Sequence, residues 1–259
     1  RRISDSLPQH LWIKEVLASR HSQDKVYTAL NGHTWDHFDS YLFVSSTNGE
    51  TWKQIGLNLP AEPINTVLED PNHAQILYLG TDAGLYISTN SGADFYPLSK
   101  LPPVAVHDLA IQEGNRDLIV ATHGRSLYKV QLEPIYQSET FRDSAFTLLP
   151  LPKIRYNENW GKLNYKWDAR VPSLNVVFFS ELSKSVTIEI RDSADQVVLT
   201  KSLHSTKGYN QNKVQLEFSV NPSKPLIRGT LRKYYPSPGT YTVYLRQNTL
   251  IRTQSFLVK

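Results

Sequence analysis

The sequence predicts an all-β chain in two parts: a repeated array of four-stranded units, then a β-sandwich. Three observations carry that expectation. A glycine turn set between a β-rich run and a bulky aromatic occurs twice at one common offset, Gly49 with Trp52 and Gly92 with Phe95. The offset is about 40 residues, the period of a propeller blade. Short runs of β-forming residues recur along the 259 residues, with 15 prolines and only scattered helical periodicity. Acids outnumber bases in the first half and bases outnumber acids in the second, although the net charge is only +4. Such asymmetry marks two units.

Composition sets the remaining bounds. A hydrophobic content of 40% and an aromatic content of 11% permit a packed core. The absence of cysteine excludes disulfide staples and thiolate metal sites. No apolar run reaches the ~18 residues that suggest a membrane span. The chain has no Met and no signal-peptide pattern, so its start is expected to be an internal cut, in a mature form or a fragment.

The first unit reads as four strands. Residues 12–17 alternate apolar and polar, 25–30 form a second run, 41–45 a third, and 51–55 follow the Gly49 turn. Residues 31–40 read as a long polar-aromatic loop. The second unit repeats the order at 63–70, 75–80, 84–88 and 94–98. The third offers 106–112, 117–122 and 126–132, and then the pattern stops without a fourth strand. A propeller ring needs at least four blades, and a blade cannot bury both faces alone. Residues 1–135 are therefore expected to be the C-terminal blades of a longer propeller, with upstream blades of the same parent as their partner.

The turns carry a resemblance. They resemble the Asp-box of bacterial neuraminidase repeats. Ser45, Gly49, Thr51 and Trp52 match the first box, with Thr47 where the Asp belongs. Ser88, Gly92 and Phe95 match the second, with Asn90 in that place. The box implies a structural turn: a side-chain oxygen takes backbone N–H groups, and glycine takes a positive φ. Thr47 is expected to weaken the first. More widely, residues 10–132 resemble the final blades of bacterial sortilin-like repeat proteins that carry a glycosyl hydrolase label, and residues 121–128 resemble their last-blade signature. The resemblance implies a secreted or cell-surface protein with a binding surface for a protein or a glycan. Xyloglucanases and sialidases share only the turn.

Residues 136–160 read as an ordered linker with one edge strand. Residues 161–259 then show β runs at sandwich spacing: 174–180, 185–192, 196–203, 213–220, 239–247 and 250–258. Asp195 and Asn248 fall in tight hairpin turns. This is the pattern of an immunoglobulin- or fibronectin-like sandwich. The stretch from Tyr235 to Tyr241 resembles the entry to the final strands of Ig-like modules on secreted bacterial enzymes.

Two places hold residues suited to a ligand. The first is the loop with His33, Trp35, Asp36, His37, Phe38, Asp39 and Tyr41. Aromatic rings stack on sugars, while Asp and His bond hydroxyls. The plainer reading is that these aromatics pack on a neighbouring blade. The second is the turn with His123 and Arg125, where Arg125 can bind a carboxylate. Its plainer reading is a lock in which Arg125 and His123 bond backbone or acids such as Asp108 and Asp82 in adjacent turns. Glycosidase chemistry needs two carboxylates about 5–10 Å apart, and among Asp36, Asp39, Glu69, Asp70 and Asp82 nothing singles out a pair. Arg20, Arg116 and Arg125 do not form a sialidase triad by position. No phosphate loop, nucleophile elbow or zinc helix is present. The basic stretch 226–235 reads as a solvated strand, so nucleic acid is not an expected partner. The function expected is a non-catalytic binding or scaffold region, needing no cofactor or metal. The alternative is the C-terminal piece of a propeller glycoside hydrolase whose catalytic acids lie upstream.

Overall fold

The computed structural model describes residues 2–98, 101–137, 145–162, 170–218, 227–228 and 233–259. The chain divides into two compact units, Arg1–Glu133 and Pro134–Lys259. Among the described residues the fold is all-β; the exceptions are a 3-10 turn at His33–Trp35 and a one-turn helix, α1 (Glu133–Tyr136).

The first unit is three antiparallel meanders. The first sheet runs β1 (Trp12–Ala18), β2 (Val26–Gly32), β3 (His37–Ser45) and β4 (Lys53–Ile55). The second runs β5 (Ile64–Glu69), β6 (Leu77–Thr81), β7 (Leu85–Ser88) and β8 (Tyr96–Pro97). The third holds β9 (Val106–Gln112), β10 (Asp117–Thr122) and β11 (Leu127–Gln131). The leading strand β5 packs on β1 and on β9, so the sheets stack as blades with their first strands adjacent. The period-2 pattern explains the stacking. Tyr27, Ala29, Leu42 and Ile55 share one face of the first sheet and meet Ile64, Val67, Leu77, Leu79 and Phe95 of the second. Among the described residues β11 has no partner on its outer edge.

Each of the two glycine turns connects the third and fourth strands of one sheet, β3 to β4 and β7 to β8. Ser88 Oγ accepts from Gly92 N at 2.9 Å, and Asn90 Oδ1 accepts from Asp94 N at 2.9 Å. In the first turn Ser45 Oγ accepts from Gly49 N at 2.8 Å. There the Thr47 hydroxyl accepts from Thr51 N at 2.9 Å, the bond that Asn90 makes in the second. Thr47 was expected to weaken the turn; its hydroxyl oxygen reaches the same backbone donor. Both glycines hold φ 85. A Cβ on Gly92 would lie 2.6 Å from Ile55 Cδ1, in the core between the two sheets.

A buried acid clamps the same two sheets at the strand ends that carry these turns. Glu69, at the end of β5, accepts from Ser19 Oγ at 2.9 Å, Arg20 N at 2.8 Å and Tyr27 Oη at 3.2 Å, all from the first sheet and its turn. Burial first, then the Glu69 carboxylate, pushes the Tyr27 phenol well above its ordinary value. The adjoining Asp70 is fully buried and takes Asn72 N, His73 N and Tyr78 Oη. The outer face of the first sheet is covered by the preceding segment: Leu7 packs on Leu30 and Phe43, and Trp52 Nε1 donates to Ile3 O at 2.8 Å.

The second unit is a sandwich of two antiparallel sheets. One runs β12 (Phe146–Leu148), β13 (Ser173–Ser180), β16 (Gly208–Gln215). The other runs β15 (Val197–His204), β14 (Ser185–Arg191), β19 (Gly239–Gln247), β20 (Leu250–Val258). Two short strands, β17 (Ile227–Arg228) and β18 (Tyr234–Tyr235), pair beside them. Val186, Ile188 and Ile190 alternate inward on β14 and meet Leu174, Val176 and Phe178 of β13 in one core. At one end that core turns polar. Gln247 Nε2 donates to Ser180 Oγ at 3.0 Å and Ser205 Oγ at 3.1 Å, and Ser205 Oγ donates to the Lys184 carbonyl. Every member of that network is buried and bonded, which fixes register. Tyr241, on β19, donates to the Ser237 carbonyl and accepts from Ser237 N, closing the corner that leads into the strand.

Two strand starts differ from the sequence expectation. β3 begins at His37 rather than Tyr41, so the loop is shorter than read. β16 begins at Gly208 rather than Lys213. Its first half, Tyr209 to Asn212, is polar in sequence, yet Asn210 is fully buried and donates to the Thr206 and Gly208 carbonyls. A self-satisfied inward Asn hides a strand from any hydrophobic pattern. The basic stretch 226–235 lies largely outside the described residues.

Candidate functional site

The meander places the β2–β3, β6–β7 and β10–β11 connections at the end of the unit where β1, β5 and β9 begin. Both expected ligand-binding stretches fall at this end. In the first, Asn31 Oδ1 accepts from His33 N at 2.8 Å and starts the 3-10 turn. Asp36 ends it in the left-handed region, φ 56, with its N–H bonded to His33 O. Asp tolerates that conformation better than most residues, and it points the neighbouring aromatics outward. Trp35 meets Trp12 edge-on, with centroids 5.5 Å apart, and Phe38 meets His33 edge-on at 5.3 Å. Trp12 is 59%, Trp35 45% and Phe38 46% exposed. Ile13 and Val16 extend the apolar surface along β1.

Tyr41 stands apart from this patch. It is half-buried against the Leu7–Leu30–Phe43 cluster, and its hydroxyl lies 3.4 Å from Asp39 Oδ2. Burial, then Asp39, raises its pKa. His33, Asp36, His37 and Asp39 are all exposed. No group of three or more His, Asp or Glu among the described residues is placed to hold a metal ion.

In the second stretch the two acids named as partners, Asp82 and Asp108, are engaged elsewhere, and the bond found at His123 is to backbone. His123 N donates to Ala105 O at 2.9 Å, and the His123 ring lies 5.2 Å from that of His107. Arg125 is exposed. Asp82 Oδ1 instead accepts from Asn65 Nδ2 at 2.8 Å, and Asp108 Oδ1 accepts from Leu109 N at 2.8 Å. The turn's backbone is tight, with Gly124 at φ 70 and Ser126 at φ 80.

The acids divide by role. Glu69 and Asp70 are spent on structural bonds. Glu62 accepts from Thr81 Oγ1 at 2.7 Å and from Tyr86 Oη at 3.3 Å, and burial with Glu62 pushes the Tyr86 phenol up to about 12. Glu15 and Asp108, on the first strands of the first and third sheets, behave differently. Burial raises the Glu15 pKa, the Asp108 charge raises it further, and Lys14 opposes both. The Asp108 charge thus acts on Glu15 from the leading strand of another sheet. Neither Glu15 nor Trp12 stands out in the sequence, because each sits in an ordinary alternating strand. The available signal was a carboxylate on the leading strand of one repeat and again on the leading strand of another.

No protein-family model matches the chain, and no curated protein matches it. Solved structures similar to it include the GH74 enzyme of Niastella koreensis, at 13% identity and a TM-score of 0.39, covering 90% of this chain and 33% of that one. The GH74 xyloglucanase of Xanthomonas campestris matches at 10% identity and a TM-score of 0.37, covering 94% of this chain and 36% of the enzyme. An ancestral GH74 enzyme matches at 14% identity and a TM-score of 0.36. The chain spans about a third of the length of these enzymes. Similarity at this level does not speak for activity.

Proposed function

We propose that this chain is a non-catalytic binding and scaffold region of a secreted or cell-surface propeller protein, and that its ligand is a glycan. The observation that carries the reading is the pair of exposed edge-on ring contacts, Trp12 with Trp35 and His33 with Phe38, in a connection that also exposes Asp36, His37 and Asp39. Flat apolar faces beside hydrogen-bonding side chains are what a sugar ring needs. The Ser45 and Ser88 turns support the Asp-box reading. The sheet orders and the Tyr241–Ser237 corner support an immunoglobulin- or fibronectin-like module. Further blades of the same parent protein are the partners that the bare outer edge of β11 favours.

The test is titration of the full chain with a panel of neutral glucan, mannan and xylan hexamers, read by tryptophan fluorescence. Binding that Trp35→Ala abolishes supports the reading. Absence of binding to every member, with a protein captured through the same patch, assigns the surface to a protein partner instead. A second reading, a piece of a propeller glycoside hydrolase, draws on Glu15 and Asp108, acids on the leading strands β1 and β9 of two sheets, with the Asp108 charge helping burial to hold the Glu15 pKa up. That reading expects turnover of a bound glycan once upstream sequence is present, and its loss in Glu15→Gln or Asp108→Asn.

A further inference from the structure

The second unit carries a surface that the proposed function does not use. A cleft of about 450 Å³ is lined by Leu199, Thr200 and Lys201 of β15 and by Lys213, Val214 and Gln215 of β16, with Glu217 at one end. β15 is the last strand of one sheet and β16 the last strand of the other. The lining residues are consecutive in each strand. Side chains alternate between faces, so three neighbours in a row line a cleft only where the strand presents its edge. Both walls are therefore strand edges, and among the described residues neither edge is paired. Unpaired edges are templates for another strand.

The side chains say which strand would fit. Leu199 and Lys201 pair with Ile190 and Ile188, which point into the core, so both face inward at the mouth of the sandwich. Val214 pairs with the fully buried Leu174 and forms the apolar floor. Lys201 and Lys213 are exposed at the rim. The ion pairs of this sheet, Arg191 with Glu189 and Asp195 and Arg246 with Glu189, lie on other residues. Glu217 makes one end of the cleft acidic and gives the site a polarity. An inward lysine on an edge strand also guards against indiscriminate pairing. An incoming strand must bring a carboxylate to neutralise it, which makes the guard selective.

The geometry points to this cleft as a docking site for an extended acidic peptide segment, added as a strand to the β15 or β16 edge with alternate apolar residues toward Leu199 and Val214. Strand addition draws affinity from main-chain bonds and specificity from alternate side chains.

The experiment uses the full chain and a synthetic peptide of about ten residues, a strand length, alternating valine and aspartate. The readouts are affinity and amide hydrogen exchange. Binding with slowed exchange along residues 199–201 or 213–215 is the expected result. A peptide with lysine in place of aspartate binds at least ten-fold more weakly, and one N-methylated at alternate residues loses binding. The charge reversal Lys201→Glu with Lys213→Glu inverts the preference between the acidic and basic peptides. Both lysines are exposed, so the variant is expected to fold, and its exchange pattern outside the cleft checks that. The idea is overturned if the acidic peptide does not bind, if the N-methylated peptide binds as well as its parent, or if an oligogalacturonate competes and protects the same amides, since acidic glycan would then be the ligand. Failure here leaves the aromatic patch of the first unit untouched, because the two readouts lie on different residues.

Discussion

Replacing Glu69 with alanine should loosen the first sheet from the second more than any surface change in the unit. The carboxylate is 2% exposed and takes hydrogen bonds from Ser19 Oγ, Arg20 N and Tyr27 Oη. Ser19 can turn to water. Tyr27 is fully buried and cannot, and Arg20 N loses its acceptor. Each orphaned donor costs about 1–3 kcal/mol, so the two together predict a loss of about 2–6 kcal/mol. Native-state hydrogen exchange of the β6 amides reads this directly, because they sit in the core that the clamp closes. With tenfold per 1.4 kcal/mol, exchange should accelerate by about one and a half to four orders of magnitude, with exchange in Pro134–Lys259 unchanged. Glu69→Gln, which keeps an acceptor for Tyr27, should recover part of the loss. An acceleration below about fivefold in the alanine variant would show that the acid does not hold the sheets together, and the structural assignment of Glu69 would fall.

Three smaller predictions use other elements. Ser88→Ala strands Gly92 N and breaks the buried turn, and urea unfolding of the first unit should show a loss of about 1–3 kcal/mol. Tyr241→Phe leaves Ser237 N and O without their partner, and should cost the second unit about 1–2 kcal/mol by the same measurement. Glu15 gives a pH dependence. Its folded-state pKa is raised above 4.5, so the folded protein holds that proton more tightly than the unfolded chain does. Its charged form therefore disfavours folding above the folded pKa, and stability is regained as pH falls from there toward 4.5. Glu15→Gln should stabilise the unit at pH 7 and lose that advantage near pH 4, and Asp108→Asn should lower the Glu15 titration seen by NMR.

The parts of the fold that were legible were those written in period-2 alternation. Residues 185–192 read as a strand because Val186, Ile188 and Ile190 mark one face, and the repeat of Gly49 at Gly92 marked the sheet order. What escaped had its pattern overridden by local chemistry. The polar start of β16 is inward because Asn210 satisfies itself. Thr47 looked like a defect, yet a hydroxyl oxygen at that place reaches the same N–H as an amide oxygen. At the candidate site, Trp35 and Phe38 were visible as a dense aromatic loop. Trp12 was not, since only the fold sets its ring against Trp35. The expected lock of Arg125 on Asp82 and Asp108 assumed that neighbouring turns share partners, whereas each acid satisfies a nearer donor in its own sheet.

The most direct test of the proposed function is a fluorescence titration of the full chain with the neutral hexamer panel, with Trp12→Ala and Trp35→Ala measured beside it. The account predicts saturable binding of at least one hexamer, a fluorescence change that both variants abolish, and no cleavage of the bound glycan. Binding that survives both substitutions, or cleavage of the hexamer by this chain alone, would contradict it.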